Sequence, residues 1–220
     1  MTGSEPVEWL EVLDFWFPEG RRLDVDASVH REHWMRRMRG GADGEIIARF
    51  TELTGLAAEG GLDHWRRDPF GRLALIIVLD QFSRSVWRDT PQAFAQDEKA
   101  LELTLEGHAN GHYEALEMPW FKTVYNLPLG HCEGPDHLAR LDLAIALANE
   151  ILASAPDHLK PGYAFAAEQP AEVRKVIAAF ARHPHRNQAL RRTSTPAEAA
   201  YLAEGRFPHQ RDIPAVAKDE

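Results

Sequence analysis

Residues Arg72–Arg88, RLALIIVLDQFSRSVWR, decide how this chain is read. The run Leu73–Leu79 is apolar at every position, so it has no polar face to turn to solvent, and a helix of that kind belongs in a core. Asp68-Pro69 just upstream is a start signal, an N-cap followed by proline at the first helical position. Asp80, Gln81 and Arg84 then follow with no break in the pattern. Asp80 and Arg84 are four apart and share a helix face, and Arg88 continues that face one turn on. Charges carried into a core are paired or serve a site. A structural ion pair is the plainer explanation, and a charged pocket wall is the functional one. Breaking a buried pair costs roughly 3–5 kcal/mol either way, so stability alone cannot separate them.

Outward from this segment the signals are helical, and no segment reads as a strand. Ser4 and Pro6 start a first helix carrying Trp9 to Phe17, which stops at Pro18 and Gly20. Asp24 or Asp26 caps a second helix, and Gly40-Gly41 ends it. Asp43 caps a third, with Ile46, Phe50, Leu53 and Leu56 at helical spacing. Thr90-Pro91 starts the helix after the central one, which runs to Asn110-Gly111. Pro119–Tyr125 is a short helix, Asp136 caps a long one through Ile151, and another starts near Pro170. Thr195-Pro196-Ala197-Glu198 is a capping box for the last. The expectation is an all-α chain of about eight or nine helices packed as antiparallel hairpins. Residues 1–205 read as one domain, and 206–220 as a polar, poorly ordered tail.

Composition bounds the function. Net charge is −9 with no basic face, which argues against nucleic acid or an anionic membrane as partner. The single cysteine, Cys132, rules out an intrachain disulfide and suits a cytoplasmic setting. The start, MTGSEPVEW, lacks the pattern of a secretory signal. The longest apolar run, Leu73–Leu79, is far short of the roughly 20 residues that span a bilayer.

Two further polar blocks stand out. LPLGHCE (Leu127–Glu133) places His131 and Glu133 in a Pro/Gly-interrupted loop, where His131 can act as a base and Glu133 can orient it. Cys132 between them reads more simply as a small buried hydrophobe than as a nucleophile. HPHRN (His183–Asn187) presents His185, Arg186 and Asn187 together after Pro184 stops a helix, and Arg186 can clamp an anion. His108 and His112 flank a helix end. No spacing matches a metal motif, and no phosphate loop, nucleophile elbow or dinucleotide fingerprint is present, so no cofactor is expected.

Taken in order, VLDFWF, LALIIVLDQFSRS, FAQDEKAL, LPLGHCE and HPHRNQALRRTSTPAEAAYL resemble the bacterial family catalogued as domain of unknown function 924, from about Glu11 to Leu202. The resemblance implies an all-helical, tetratricopeptide-like fold. It places the family's recurrent polar motifs on Asp80, Gln81, Arg84, His131, Glu133, His185, Arg186 and Asn187. Where the family commonly has Asn, Ser and Gly, this chain has Ser85, Cys132 and Ala181.

Two functions follow as expectations. One is a pocket for a small anionic ligand, with hydrolase-like acid/base chemistry: His131 or His185 as base, Glu133 as orienter, Arg84 or Arg186 as clamp, and Asp80, Gln81 and Asn187 as ligand contacts. The other is a tetratricopeptide-like scaffold for a peptide or protein partner, anchored by exposed aromatics such as Trp87, Trp120 and Phe121.

Overall fold

The computed structural model describes residues 8–205. Ser4, Pro6 and the tail 206–220 lie outside the described residues. Among the described residues the regular structure is helical, with no strand. The chain runs α1 (Glu8–Trp16), α2 (Ala27–Met38), α3 (Asp43–Ala58), α4 (Pro69–Ile76), a π-helical segment (Ile77–Phe82) and α5 (Ser83–Val86). It continues through α6 (Asp97–Ala109), α7 (Pro119–Tyr125), α8 (Leu127–His131), α9 (His137–Ser154), α10 (Lys160–Phe180) and α11 (Pro196–Ala203). No helix among the described residues is long and apolar enough to cross a membrane.

The central rod is α4, the π segment and α5 end to end. Asp68 caps it through hydrogen bonds from the Phe70 and Gly71 amides at 2.8 and 3.0 Å. Leu73 through Leu79 are 0–1% exposed. Burial of such side chains contributes about 1.5–3 kcal/mol each. α1, α3 and α6 pack around the rod. Phe82 meets the rings of Phe15, Trp16 and Phe50 at centroid distances of 5.9, 5.6 and 4.9 Å. Arg72 is buried and ties the rod to α6 by donating to the Leu103 carbonyl at 2.9 Å.

α9 and α10, joined by five residues, form a long antiparallel hairpin. Arg174 late in α10 pairs with Asp142 early in α9, as that direction requires.

Several local expectations hold. Asp26 caps α2, and Thr195 and Glu198 form the reciprocal capping box of α11. Gly40 and Gly60 take φ of +85° and +90° just past α2 and α3, a conformation that glycine adopts without a Cβ clash.

Others are corrected. Asp43 does not cap α3; it is the first residue of that helix and accepts hydrogen bonds from Ser85 and Arg88. Thr90-Pro91 opens only a single 3-10 turn, Pro91–Phe94, and α6 starts at Asp97. Pro170 does not start a helix. It sits inside α10, which begins a proline earlier, with Pro161 in the first turn. The stretch read as a loop at Leu127 is the one-turn helix α8, opened by Pro128. Trp120 and Phe121 are 0% and 3% exposed and belong to the core, where Trp120 donates to the Gly20 carbonyl at 3.0 Å.

Candidate functional site

The charged end of the central rod is the point where the polar blocks meet. Asp80 is 1% exposed, and its carboxylate is surrounded. His131 Nδ1 lies 2.8 and 2.9 Å from its two oxygens, Gln81 donates to Oδ2, and Arg84 Nη2 stands 3.4 Å from Oδ1. Burial alone would raise the Asp80 carboxyl. The charge and hydrogen bond of His131, then Arg84 and Gln81, outweigh it and hold the group well below the usual carboxylate range.

From Arg84 the network crosses to α6. Its Nη2 pairs with Asp97 Oδ1 at 2.6 Å, and Asp97 Oδ2 accepts from Arg186 Nη1 at 2.8 Å. Both guanidinium carbons lie over the ring of Phe94, 4.7 and 4.6 Å from its centroid. Cation–π attraction of this kind adds roughly 0.5–2 kcal/mol per contact. Burial lowers the Arg186 guanidinium from its ordinary value while Asp97 works against the shift. The order His131, Asp80, Arg84, Asp97, Arg186 is therefore one continuous polar chain drawn from α8, the central rod, α6 and the Pro184–Arg186 turn.

His131 is placed by what surrounds the end of α8. The carbonyls at a helix C-terminus lack intrahelical partners. Here His137 Nε2 and His183 Nε2 reach the Gly130 carbonyl at 3.0 and 3.1 Å, and Arg140 Nη1 donates to the carbonyls of Leu129 and Cys132 at 3.1 and 2.8 Å. Burial is the main cause that pushes His137 down to about 4 and His183 well below its ordinary value. Both are thus neutral donors at pH 7. Asp80 at Nδ1 fixes the orientation of the His131 ring.

His131, Arg84, Arg186, His185, His183 and Gln81 all line a single cavity of about 780 Å³. Ligand cavities for small molecules commonly fall between about 300 and 1,000 Å³. Four arginines, Arg39, Arg84, Arg88 and Arg186, line it against one carboxylate, Asp89. The wall is rich in guanidinium groups although the whole chain is acidic, and three of the four are held by carboxylates behind it: Arg84 by Asp80 and Asp97, Arg186 by Asp97 and Arg88 by Asp43.

The structure separates two expected residues from this cluster. Glu133, expected to orient His131, accepts instead from Arg192 at 2.5 and 3.2 Å and from the His183 amide at 2.7 Å. It is Asp80 whose carboxylate lies against the His131 ring. Asn187 is buried and stitches the following loop, donating to Ser194 Oγ and accepting from Arg192 Nε, each at 3.0 Å. Cys132 is buried, off the cavity, and burial raises its thiol to about 11. His108 and His112 are engaged with Asn126 and Arg72, and neither lines the cavity. Asp97 and Phe94 were not singled out as site residues. Both lie in or beside the FAQDEKAL stretch, where Asp97 reads as an ordinary first-turn carboxylate.

Residues 12–206 match the family described as "Bacterial protein of unknown function (DUF924)". The chain belongs to that family. Among solved structures, this DUF924 protein is similar to a protein of unknown function from Agrobacterium tumefaciens, with 27% identity and a TM-score of 0.64. The match covers 90% of this chain and 98% of that one. None of the curated proteins matches it.

Proposed function

We propose that the cavity binds a small anionic molecule and that His131, oriented by Asp80, acts on it as a general base in hydrolase-like chemistry. The observation that carries this is the buried Asp80–His131 pair opening onto an arginine-lined cavity. A carboxylate on Nδ1 fixes the ring and stabilises the imidazolium that forms when Nε2 takes a proton. In this reading His131 takes a proton from water, the hydroxide adds to the electrophilic centre of an ester, the bond to the leaving oxygen breaks as that oxygen takes a proton from protonated His185, and solvent carries the proton on His131 back to His185. Arg84 and Arg186, held side by side by Asp97 and Phe94, orient the anion. The lone buried thiol goes with a cytoplasmic setting.

The scaffold reading for a peptide or protein partner drew on exposed aromatics. Of the three aromatics named for it, Trp120 and Phe121 are in the core and Trp87 is half-buried, while Phe165 is 53% exposed; the small-molecule reading is preferred because the polar chain opens onto the cavity.

The test is titration with acetate and inorganic phosphate, followed by the ring-proton NMR signals of the histidines, together with turnover of nitrophenyl esters. Binding is expected to move the His131 and His185 signals. His131→Asn is expected to lower turnover by about 10²–10⁴-fold in a protein that melts lower, because Asp80 loses a partner, but is still folded at the assay temperature. Turnover unchanged in a folded His131→Asn protein removes the base. Histidine signals that stay still under both anions remove the site.

A further inference from the structure

The cavity is lined by arginines on one side and by the α9–α10 hairpin on another. Its lining on the α9–α10 hairpin can be ordered by sequence because the helices are antiparallel. His183 marks the end nearest the start of α9, beside the ring of His137 at 5.3 Å. Leu141 and Val173 come next and share a buried apolar cluster. Ala144 and Ala148 follow on α9, opposite Ala166 and Ala167 on α10, and Ile151 and Tyr163 lie at the far end. Leu141, Ala144, Ala148 and Ile151 recur at helical spacing, so one face of α9 is turned to the cavity. From Leu141 to Ile151, a rise of about 1.5 Å per residue makes this apolar wall about 15 Å long. Trp34 and Met38 of α2 line the same cavity. The arginines of the lining sit at the central rod and at the Pro184–Arg186 turn, with Arg39 at the end of α2. Small alanines along both hairpin helices leave width where bulkier side chains would fill it.

We propose that the ligand is an amphiphilic anion, an acyl-chain carboxylate whose head lies at Arg84, Arg186 and His131 and whose tail lies along the α9–α10 trough. The inference rests on the anion-site reading above and adds the tail. Charge complementarity selects the head, and an apolar wall of this length selects an extended chain over a compact acid.

The test is calorimetric titration of the full chain with acetate, hexanoate, decanoate and decanol, each below its aggregation concentration. Affinity is expected to rise about two- to fourfold per added methylene from acetate to decanoate, with decanol far weaker than decanoate. Ala148→Phe, which fills the trough, is expected to bring decanoate affinity close to that of acetate. Ala167→Phe on the facing helix serves the same purpose if Ala148→Phe does not fold. Acetate binding with no gain on lengthening overturns the tail and leaves the anion site standing. Decanol binding as tightly as decanoate overturns the anionic head, and with it the anion site. Absence of binding by every probe overturns both.

Discussion

Asp97→Asn is the sharpest perturbation of the polar chain. Asp97 is 5% exposed and holds two guanidiniums, Arg84 at 2.6 Å and Arg186 at 2.8 Å. Asparagine keeps the shape but loses the charge, and because Arg84 and Arg186 bond to different oxygens of Asp97, its carbonyl can replace only one of those acceptors. The other guanidinium then faces an amide NH₂, donor against donor. Arg84 retains Asp80 and the Ala93 carbonyl, so the loss falls mainly on Arg186. Leaving a buried charge uncompensated costs about 3–5 kcal/mol. For a chain of this size each kcal/mol lowers Tm by about 2–4 °C, so a loss of about 4 kcal/mol gives a fall of roughly 8–16 °C. Melts followed by circular dichroism would measure it, with Asp142→Asn in an exposed pair as the control. Adding Arg186→Met to Asp97→Asn is expected to recover part of the loss, because the stranded charge is removed along with its former partner. A fall below about 2 °C, or losses that simply add in the double variant, would refute the claim that this carboxylate joins the two arginines.

Three other outcomes follow from particular residues. His137 titrates near 4 in the fold against 6.5 ordinarily. The unfolded chain therefore binds more protons between those values, and stability rises with pH there, by about 3 kcal/mol in all. His183 adds in the same direction, so Tm should fall steadily from pH 7 to pH 4, and His137→Gln should flatten the fall. Cys132, raised to about 11 from 9.0, should react with iodoacetamide at neutral pH about 100-fold more slowly than an unperturbed thiol. Ala181 ends α10 with a φ of +58°, in the left-handed region that favours glycine. Ala181→Gly should therefore stabilise the protein by about 1 kcal/mol in urea unfolding, and a loss instead would show that the Ala181 methyl matters to packing.

The parts of the site that were legible in the sequence are those written in local pattern. An apolar run with charges at its end marked Asp80 and Arg84, and proline and glycine breaks marked the blocks holding His131, His185 and Arg186. What was not legible depends on pairing across long separations. Asp97 joins Arg186 from 89 positions away, and nothing in DEKAL distinguishes it from a solvated first-turn acid. Glu133 is two residues from His131, yet its partner is Arg192, because the HPHRN turn brings the following loop over that side of α8. Trp120 and Phe121 sit in a short helix with turn signals on both sides, and their burial is decided by α1 and the loop after it. Pro170 misled for a different reason. A proline inside a helix forfeits one hydrogen bond and costs about 3 kcal/mol, but here the hairpin packing of α10 on α9 carries the helix through it.

The π segment explains how one rod can be core and site at once. Leu73–Leu79 need an apolar environment on every side, whereas Arg84 and Arg88 need the cavity wall. In an unbroken α-helix, the stripe leading from the core positions would carry on at the same angle. A π turn holds one extra residue, which rotates everything after it by about 100° relative to that register. The widened turn spans Ile77–Phe82 and so contains Asp80 and Gln81. Its position lets Asp80 turn to His131 on α8 while Arg84, one turn later, reaches Asp97 on α6. Phe82, inside the same turn, still packs on Phe15 and Phe50. The rod changes register where its surroundings change from core to cavity, and the polar chain begins there.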